Sequence, residues 1–446
     1  MTNSAIYMNA TSPPPASLRY DRLKPWNIAR LLIWSLFAVA LIAAPHAFRS
    51  SLALTMLSQI GYMIIICLSY NILLGQGGML SFGHAVYTGL GSFVTVHVMN
   101  LATNGSLPVP LVLIPLVGGL AGLFFAFLFG YVSTKKSGTT FAMITLGLGE
   151  LVASMALMFP SFFGGEGGVT TNRVYGTPFF GVTFGPQLQV YYLIAAYCFV
   201  CTALMYAFTG TPLGRMLNAV RDNPERVEFI GYNTQRVRYF AFIIAGFFAG
   251  VGGGLAAVNF EIVNAVDSLN GVRSGSYLLF TFLGGATFFF GPIIGAVLLV
   301  FASVMLSELS KAWLLYLGLV FLFMVMFAPG GVASLVMMNL RVAKFDRFKP
   351  FWWLYVGLLS SGAVFAGSAA ALVEMIYHMQ LGAAQGPQLP FLGFTLDTSN
   401  PMYWLATAAL LIVGGALLEI VRRRFVRTWG YAQELIEAEI KRRKAA

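Results

Sequence analysis

Long apolar runs alternate with short polar breaks along almost the whole chain. Mostly hydrophobic residues fill about 31–48, 52–74, 79–100, 107–134, 139–160, 191–208, 239–258, 277–290, 293–309, 312–328, 351–377 and 402–421. A helix needs about 20 predominantly apolar residues to cross a bilayer, so the pattern predicts an all-α, polytopic helical membrane protein with about ten to twelve transmembrane or re-entrant helices. The run 277–290 is too short for a full crossing and ends at Gly291-Pro292, which reads as a broken or re-entrant segment. The expected organisation is a polar cytoplasmic leader over 1–30, a membrane domain over 31–340 with its longest polar loop at 209–238, and an extension over 341–446. The extension carries two more spans and a basic cytoplasmic tail. In that tail Trp429, Ile436 and Ile440 fall near one helical face ahead of Lys441-Arg442-Arg443-Lys444, the pattern of an amphipathic helix on an anionic leaflet or a partner. Residues 31–44 resemble a signal-peptide core, but the polar leader is too long for one, so a retained first helix is expected.

Composition agrees with the pattern. The 446 residues are 58% hydrophobic and 10% charged, against about 25% charged in a soluble chain, which excludes an ordinary soluble enzyme. A net charge of +11 would suggest nucleic acid in a soluble protein. With the N-terminus cytoplasmic and every run crossing, however, 23 of the 27 Lys and Arg fall inside, leaving only Arg49, Arg173, Arg273 and Lys311 outside. That asymmetry is the positive-inside rule; both termini are expected in the cytoplasm and no nucleic-acid partner is needed. Cys67, Cys198 and Cys201 lie in apolar runs without metal or disulfide spacing and read as packing residues.

Two segments are dense in small residues. The stretch 71–93, NILLGQGGMLSFGHAVYTGLGSF, has a break marked by Gly75, Gly77 and Gly78, and 283–296, LGGATFFFGPIIGA, resembles it. Such breaks let backbones approach closely or line a cavity. The pathway candidates are Gly78, Ser81, His84, Glu150, Gly284 and Gly285. Each also has a plainer reading, since glycines pack helices and a lone His is often a satisfied interior residue. Glu150 sits near the middle of the 139–160 run with Gly147 and Ser154 on its face. A charge at the bilayer centre costs about 2.5 to 3.5 kcal/mol on insertion scales, so it serves either as a hydrogen-bonded packing residue or as a group on a polar path. Gly164 to Gly168 read as a mobile outer loop, either anion-receiving or a plain turn. In the loop 209–238, Asn223 is placed to cap, Pro224 to start and Gly231 to end a short projecting helix. No arrangement of nucleophile and base, or of paired carboxylates, has catalytic spacing.

Taken in order, NILLGQGGMLSFGHA, TLGLGELV with FFGGEGGV, GRMLNAVRDNPERVEFIG, FLGGATFFFGPIIGA and MFAPGGV resemble the LivM-type permeases of branched-chain amino acid ABC importers, over about 52–338. The resemblance implies a bacterial inner-membrane subunit that is not an enzyme. It would pair with a second permease, receive substrate from a periplasmic binding protein, and couple to two cytoplasmic ATPases that use ATP and Mg, with no cofactor of its own. The chain has no phosphate-binding loop of the Gly-x4-Gly-Lys-Ser/Thr kind, in keeping with hydrolysis in another chain. The expected coupling residues are Arg215, Arg221, Asn223, Pro224, Arg226, Val227, Phe229, Ile230 and Gly231, with Val227, Phe229 and Ile230 filling a groove and Arg221 and Arg226 at its rim. Alternatives are a permease of the same class for urea or short amides, and a self-sufficient secondary transporter. The scarcity of acids within the spans opposes the latter.

Overall fold

The computed structural model describes residues 28–175, 183–328, 330–345, 351–381, 386–391 and 394–445. The expected leader therefore lies outside the described residues up to position 27, and so do the side chains of Ile440, Arg443 and Lys444 in the tail. The chain begins with α1 (Ile28–Ala47), α2 (Ser51–Asn71), a π-helical turn over Ile72–Gln76, and α3 (His84–Thr103). Next come α4 (Ile114–Ser133), α5 (Thr139–Met158), the one-turn α6 (Pro160–Phe163) and α7 (Gln187–Gly210). The polar loop folds into α8 (Pro212–Asp222) and α9 (Pro224–Phe229) before α10 (Thr234–Phe260) re-enters the helical body. The short α11 (Ala265–Ser268) leads into α12 (Gly271–Gly284), α13 (Gly291–Leu309), α14 (Trp313–Phe327) and α15 (Gly331–Lys344). The extension adds α16 (Phe351–Leu381) and α17 (Pro401–Ala445).

Among the described residues nine helices are long and apolar enough to cross a membrane, or ten if α14 and α15, bent by 48°, make one span. Two of the twelve apolar runs fall short. The apolar part of α1 covers only Leu31–Ala47, and α12, at 14 residues, is about 21 Å long against a hydrocarbon core of about 30 Å. The run expected at 277–290 is displaced as well. Its helix starts at Gly271, where the Asn270 side chain caps the backbone N–H of Arg273 at 2.7 Å, and it stops at Gly284. The next residue, Gly285, has a φ of 113°, which a side-chain-bearing residue rarely adopts. Likewise the run 79–100 becomes helical only at His84.

The centre of the molecule is α2, α3 and α10. From Gly61 to Leu73 every residue of α2 and the turn after it is buried, the mark of a helix enclosed on all sides. On α10, Gly246 and Gly250 meet Gly118 and Gly122 of α4 so closely that a Cβ on Gly250 would overlap Gly118 O. This is small-residue packing of the kind that replaces hydrophobic drive between helices in lipid. All three cysteines are buried. The glycine loop at 164–168 is pinned where mobility was expected: β1 (Val169–Thr170) pairs antiparallel with β2 (Ile262–Val263), and Asn264 Nδ2 donates to Glu166 O at 2.8 Å.

In the extension α16 and α17 pack on each other and are joined through the hairpin of β3 (Gln388–Phe391) and β4 (Phe394–Asp397). The tail is not a separate amphipathic helix. It continues α17 to a total of 45 residues, about 68 Å, because no proline follows the span and Gly430 alone does not stop the helix. Val342 and Phe351 bury Ala432 and Ile436 of that tail. At the other end, Ser310 and Tyr316 both donate hydrogen bonds to Glu374 Oε1 on α16, which ties the extension to α14.

Candidate functional site

The two glycine breaks, far apart in sequence, meet in space. A Cβ added at Gly75 would overlap Ala286 O in the break between α12 and α13, and Thr281 Oγ1 donates to Cys67 O at 3.3 Å. Gly284 packs on Gly291, and Gly285 lies so near α15 that a Cβ there would stand 2.6 Å from Gly330 O. Both candidate glycines are thus buried close-packing positions. Gly78 is exposed, has a φ of +63°, and faces the Arg221 side chain.

His84 opens α3 and is fully buried. Its Nε2 lies 2.9 Å from Ser69 Oγ, which gives its own proton to Ile66 O at 2.7 Å. Nε2 is therefore the donor in this contact and Nδ1 a bare acceptor. Tyr70, Tyr87 and Tyr277 ring the imidazole with centroids at 5.0, 6.3 and 6.4 Å. Tyr70 OH donates to Ser81 O at 2.8 Å, which holds the broken segment against α2. Three buried polar atoms around this break have no partner among the described residues: Asn71 Oδ1, Ser81 Oγ and His84 Nδ1. Buried polar groups in folded proteins are nearly always satisfied by protein or water, so three such atoms close together make the break a polar spot within the helical body.

Glu150 is exposed on α5, in line with Gly147, whose missing side chain opens onto empty space, and with exposed Ser154. Its Oε1 lies 3.1 Å from the Cβ position of Gly271, so the carboxylate rests over the first turn of α12. Unpaired N–H groups and the positive end of the helix dipole make that a favourable place for an acid. Arg273, two residues further along α12, is half-buried, with Tyr277, Tyr62 and Asp267 as its electrostatic neighbours.

The loop 209–238 contains two helices. The expected one is α9: Asn223 Oδ1 accepts from Arg226 N at 2.9 Å, Pro224 is the first helical residue, and Gly231 takes a φ of +88° after it. The sequence reading missed α8, although Thr211-Pro212 is a cap followed by a helix-starting proline; Thr211 Oγ1 accepts from Gly214 N at 3.2 Å. The inner face of α8 buries Leu217 and Val220, and Asn218 Nδ2 donates to Gln76 Oε1 at 2.8 Å. Arg221 donates to Gly75 O, the backbone of the first break, and pairs with Asp222 at 2.9 Å. It is thus an internal tie and not a free rim charge.

The residues expected to dock an ATPase split. Phe229 and Ile230 are 90% and 63% exposed, with Tyr232 beside them, and Arg215 and Arg226 are also exposed. Val227 is a correction. It is 3% exposed and belongs to the central core, because the inward face of this short helix packs against the membrane domain.

A many-helix body with two broken apolar helices, and a loop fixed to one of the breaks, is an arrangement that recurs in membrane transport proteins. The chain belongs to the family of permease components of branched-chain amino acid transport systems, whose pattern matches residues 52–329. Two curated relatives are each described as the high-affinity branched-chain amino acid transport system permease protein LivM. That of Escherichia coli (strain K12) is 25% identical over 336 residues, covering 69% of this chain and 76% of the relative. That of Salmonella typhimurium is 26% identical over 337 residues, covering 70% and 77%. No solved structure matches the chain. The family match ends before α15, so α16 and α17 lie beyond it.

Proposed function

We propose that this chain is the permease subunit of an ATP-driven importer in the bacterial inner membrane. It forms half of a pathway for branched-chain or related amino acids together with a second permease. Separate ATPase subunits supply the energy and a periplasmic protein delivers the substrate. The observation that carries this reading is the tie between loop and break: α8 is fastened through Arg221 to Gly75 O and through Asn218 to Gln76, while Phe229 and Ile230 beside it are exposed. A displacement imposed on α9 from outside is thereby passed to the spot where α2 unwinds and meets the second break. Coupling between distant sites requires such a rigid element with differential contacts at both ends.

The pathway side of the proposal rests on Glu150 and on the unsatisfied polar atoms near His84. A carboxylate on an exposed mid-helix face next to a half-helix N-terminus is placed to meet the ammonium of an amino acid while the other side of the path is supplied by the second permease. With α1 and α12 counted as crossings, the charge asymmetry of the sequence supports a cytoplasmic place for both termini and the α8–α9 loop. Uptake of labelled leucine by the reconstituted complex tests the substrate class, with urea and acetamide as competitors. Inhibition by excess valine but not by urea is expected; uptake of urea without uptake of leucine would replace this reading with the amide-carrying one.

A further inference from the structure

The extension carries a groove that neither the family match nor the transport reading accounts for. It measures about 160 Å³, lies where α15, α16 and α17 converge, and is floored by Leu335, Met338, Tyr355, Phe425, Val426 and Trp429. Leu335, Met338 and Val426 are exposed, so the groove opens outward from the helices. Its height in the membrane is set by aromatic residues. Trp352 and Trp353, 60% and 77% exposed at the start of α16, have the character of the belt that marks a membrane interface.

The described residues next to the groove in sequence are rich in positive charge: 341–345 and 419–427 hold six basic residues against one acidic one. On α17, Arg422 precedes Phe425 by three residues and Val426 by four, which places it on the groove face. On α15, Arg341 follows Met338 by three, on the same face as the floor residue. Arg422 gives Nε and one Nη2 proton to Glu419 at 2.7 and 2.9 Å; the guanidinium has five N–H donors, and those on Nη1 remain for an anion.

We propose that this groove binds one anionic phospholipid of the cytoplasmic leaflet, with an acyl chain on the Phe425–Val426–Trp429 floor and the phosphate between Arg422 and Arg341. An apolar slot ending in arginines at headgroup depth matches both halves of such a molecule. A zwitterionic lipid offers the same chain but no net charge, so the site discriminates by headgroup. Occupancy joins α15, whose first residues pack on Gly285 of the second break, to the two helices of the extension, and it does not depend on which substrate is transported.

Native mass spectrometry of the intact complex tests the proposal, using added dioleoylphosphatidylglycerol or dioleoylphosphatidylcholine after detergent exchange. Phosphatidylglycerol should be retained at least tenfold better than phosphatidylcholine. Arg422→Gln and Arg341→Gln should each lower that preference severalfold, and Val426→Trp, which fills the slot from an exposed position, should abolish retention. Arg424→Gln, one residue off the groove face, is the control and should leave retention unchanged. Equal retention of the two lipids would overturn the proposal. So would a loss at Arg424→Gln as large as that at Arg422→Gln, since diffuse charge would then account for the binding, or undiminished retention in a correctly assembled Val426→Trp variant.

Discussion

Phe229→Ala and Val227→Ala, two residues apart on one short helix, should have opposite consequences. Phe229 is 90% exposed and Val227 3%. Fully burying a Phe side chain contributes about 1.5 to 3 kcal/mol, so truncating an anchor that a docked ATPase covers should raise Kd about ten- to one-hundredfold. Folding should hardly change, because substitutions at exposed positions away from special features usually stay within about 0.5 kcal/mol. Val227→Ala instead removes two buried methyl-sized groups at about 0.8 kcal/mol each and leaves a small cavity, for a loss of about 1.5 to 3 kcal/mol in stability. Titrating the purified ATPase onto the detergent-solubilised permease gives Kd, and thermal unfolding of the permease alone gives stability. The expected result is a Kd increase with unchanged midpoint for Phe229→Ala, and a lowered midpoint for Val227→Ala. If Phe229→Ala bound the ATPase within twofold of the unaltered chain, α9 would not be the docking element and the turn at Lys135 and Lys136 would become the next candidate.

Other expectations follow from the same geometry. Arg221→Ala removes the tie to Gly75 O and should leave ATPase binding near normal while substrate no longer stimulates hydrolysis; retained stimulation would show that the tie transmits nothing. Glu150→Gln keeps the shape of an exposed side chain and should lower uptake kcat/KM at least tenfold with normal assembly, whereas normal uptake would remove Glu150 from the pathway. Gly250→Val drives a Cβ into Gly118 O, where backbone faces backbone, and should sharply reduce the yield of folded protein in the membrane; near-normal thermal stability would mean that α4 and α10 are not packed this closely. Cysteines introduced at Gly165 and Asn223 should react with an impermeant thiol reagent from outside at Gly165 alone, and labelling at Asn223 in intact cells would invert the topology.

Much of this architecture is legible in the sequence because spans are set by length and hydropathy alone. The elements set by backbone chemistry were harder to place. The apolar run 277–290 pointed to a helix there, but the cap at Asn270 and the positive φ of Gly285 moved it to Gly271–Gly284; the cap signal was present and hydropathy outweighed it. The small-residue spacing Gly246, Gly250, Gly254 on α10 and Gly118, Gly122 on α4 is present in the sequence, but only the structure shows that the two sets face each other. That Val227 points inward was not readable, since six residues are too few to define a periodic face. The meeting of Gly75 with the second break and the reach of Arg221 to Gly75 O are contacts between distant segments that no local pattern encodes. For the same reason the sequence marked both glycine-rich segments as special without showing that they form one place.

The energy source tests the central claim most directly. Proteoliposomes holding the two permeases, with or without the ATPases, and supplied with the binding protein, are given either ATP or an imposed proton gradient, and labelled leucine is counted inside. The account predicts accumulation only with the ATPases and ATP. Accumulation driven by the proton gradient in vesicles lacking the ATPases would contradict it and make the chain a self-sufficient transporter.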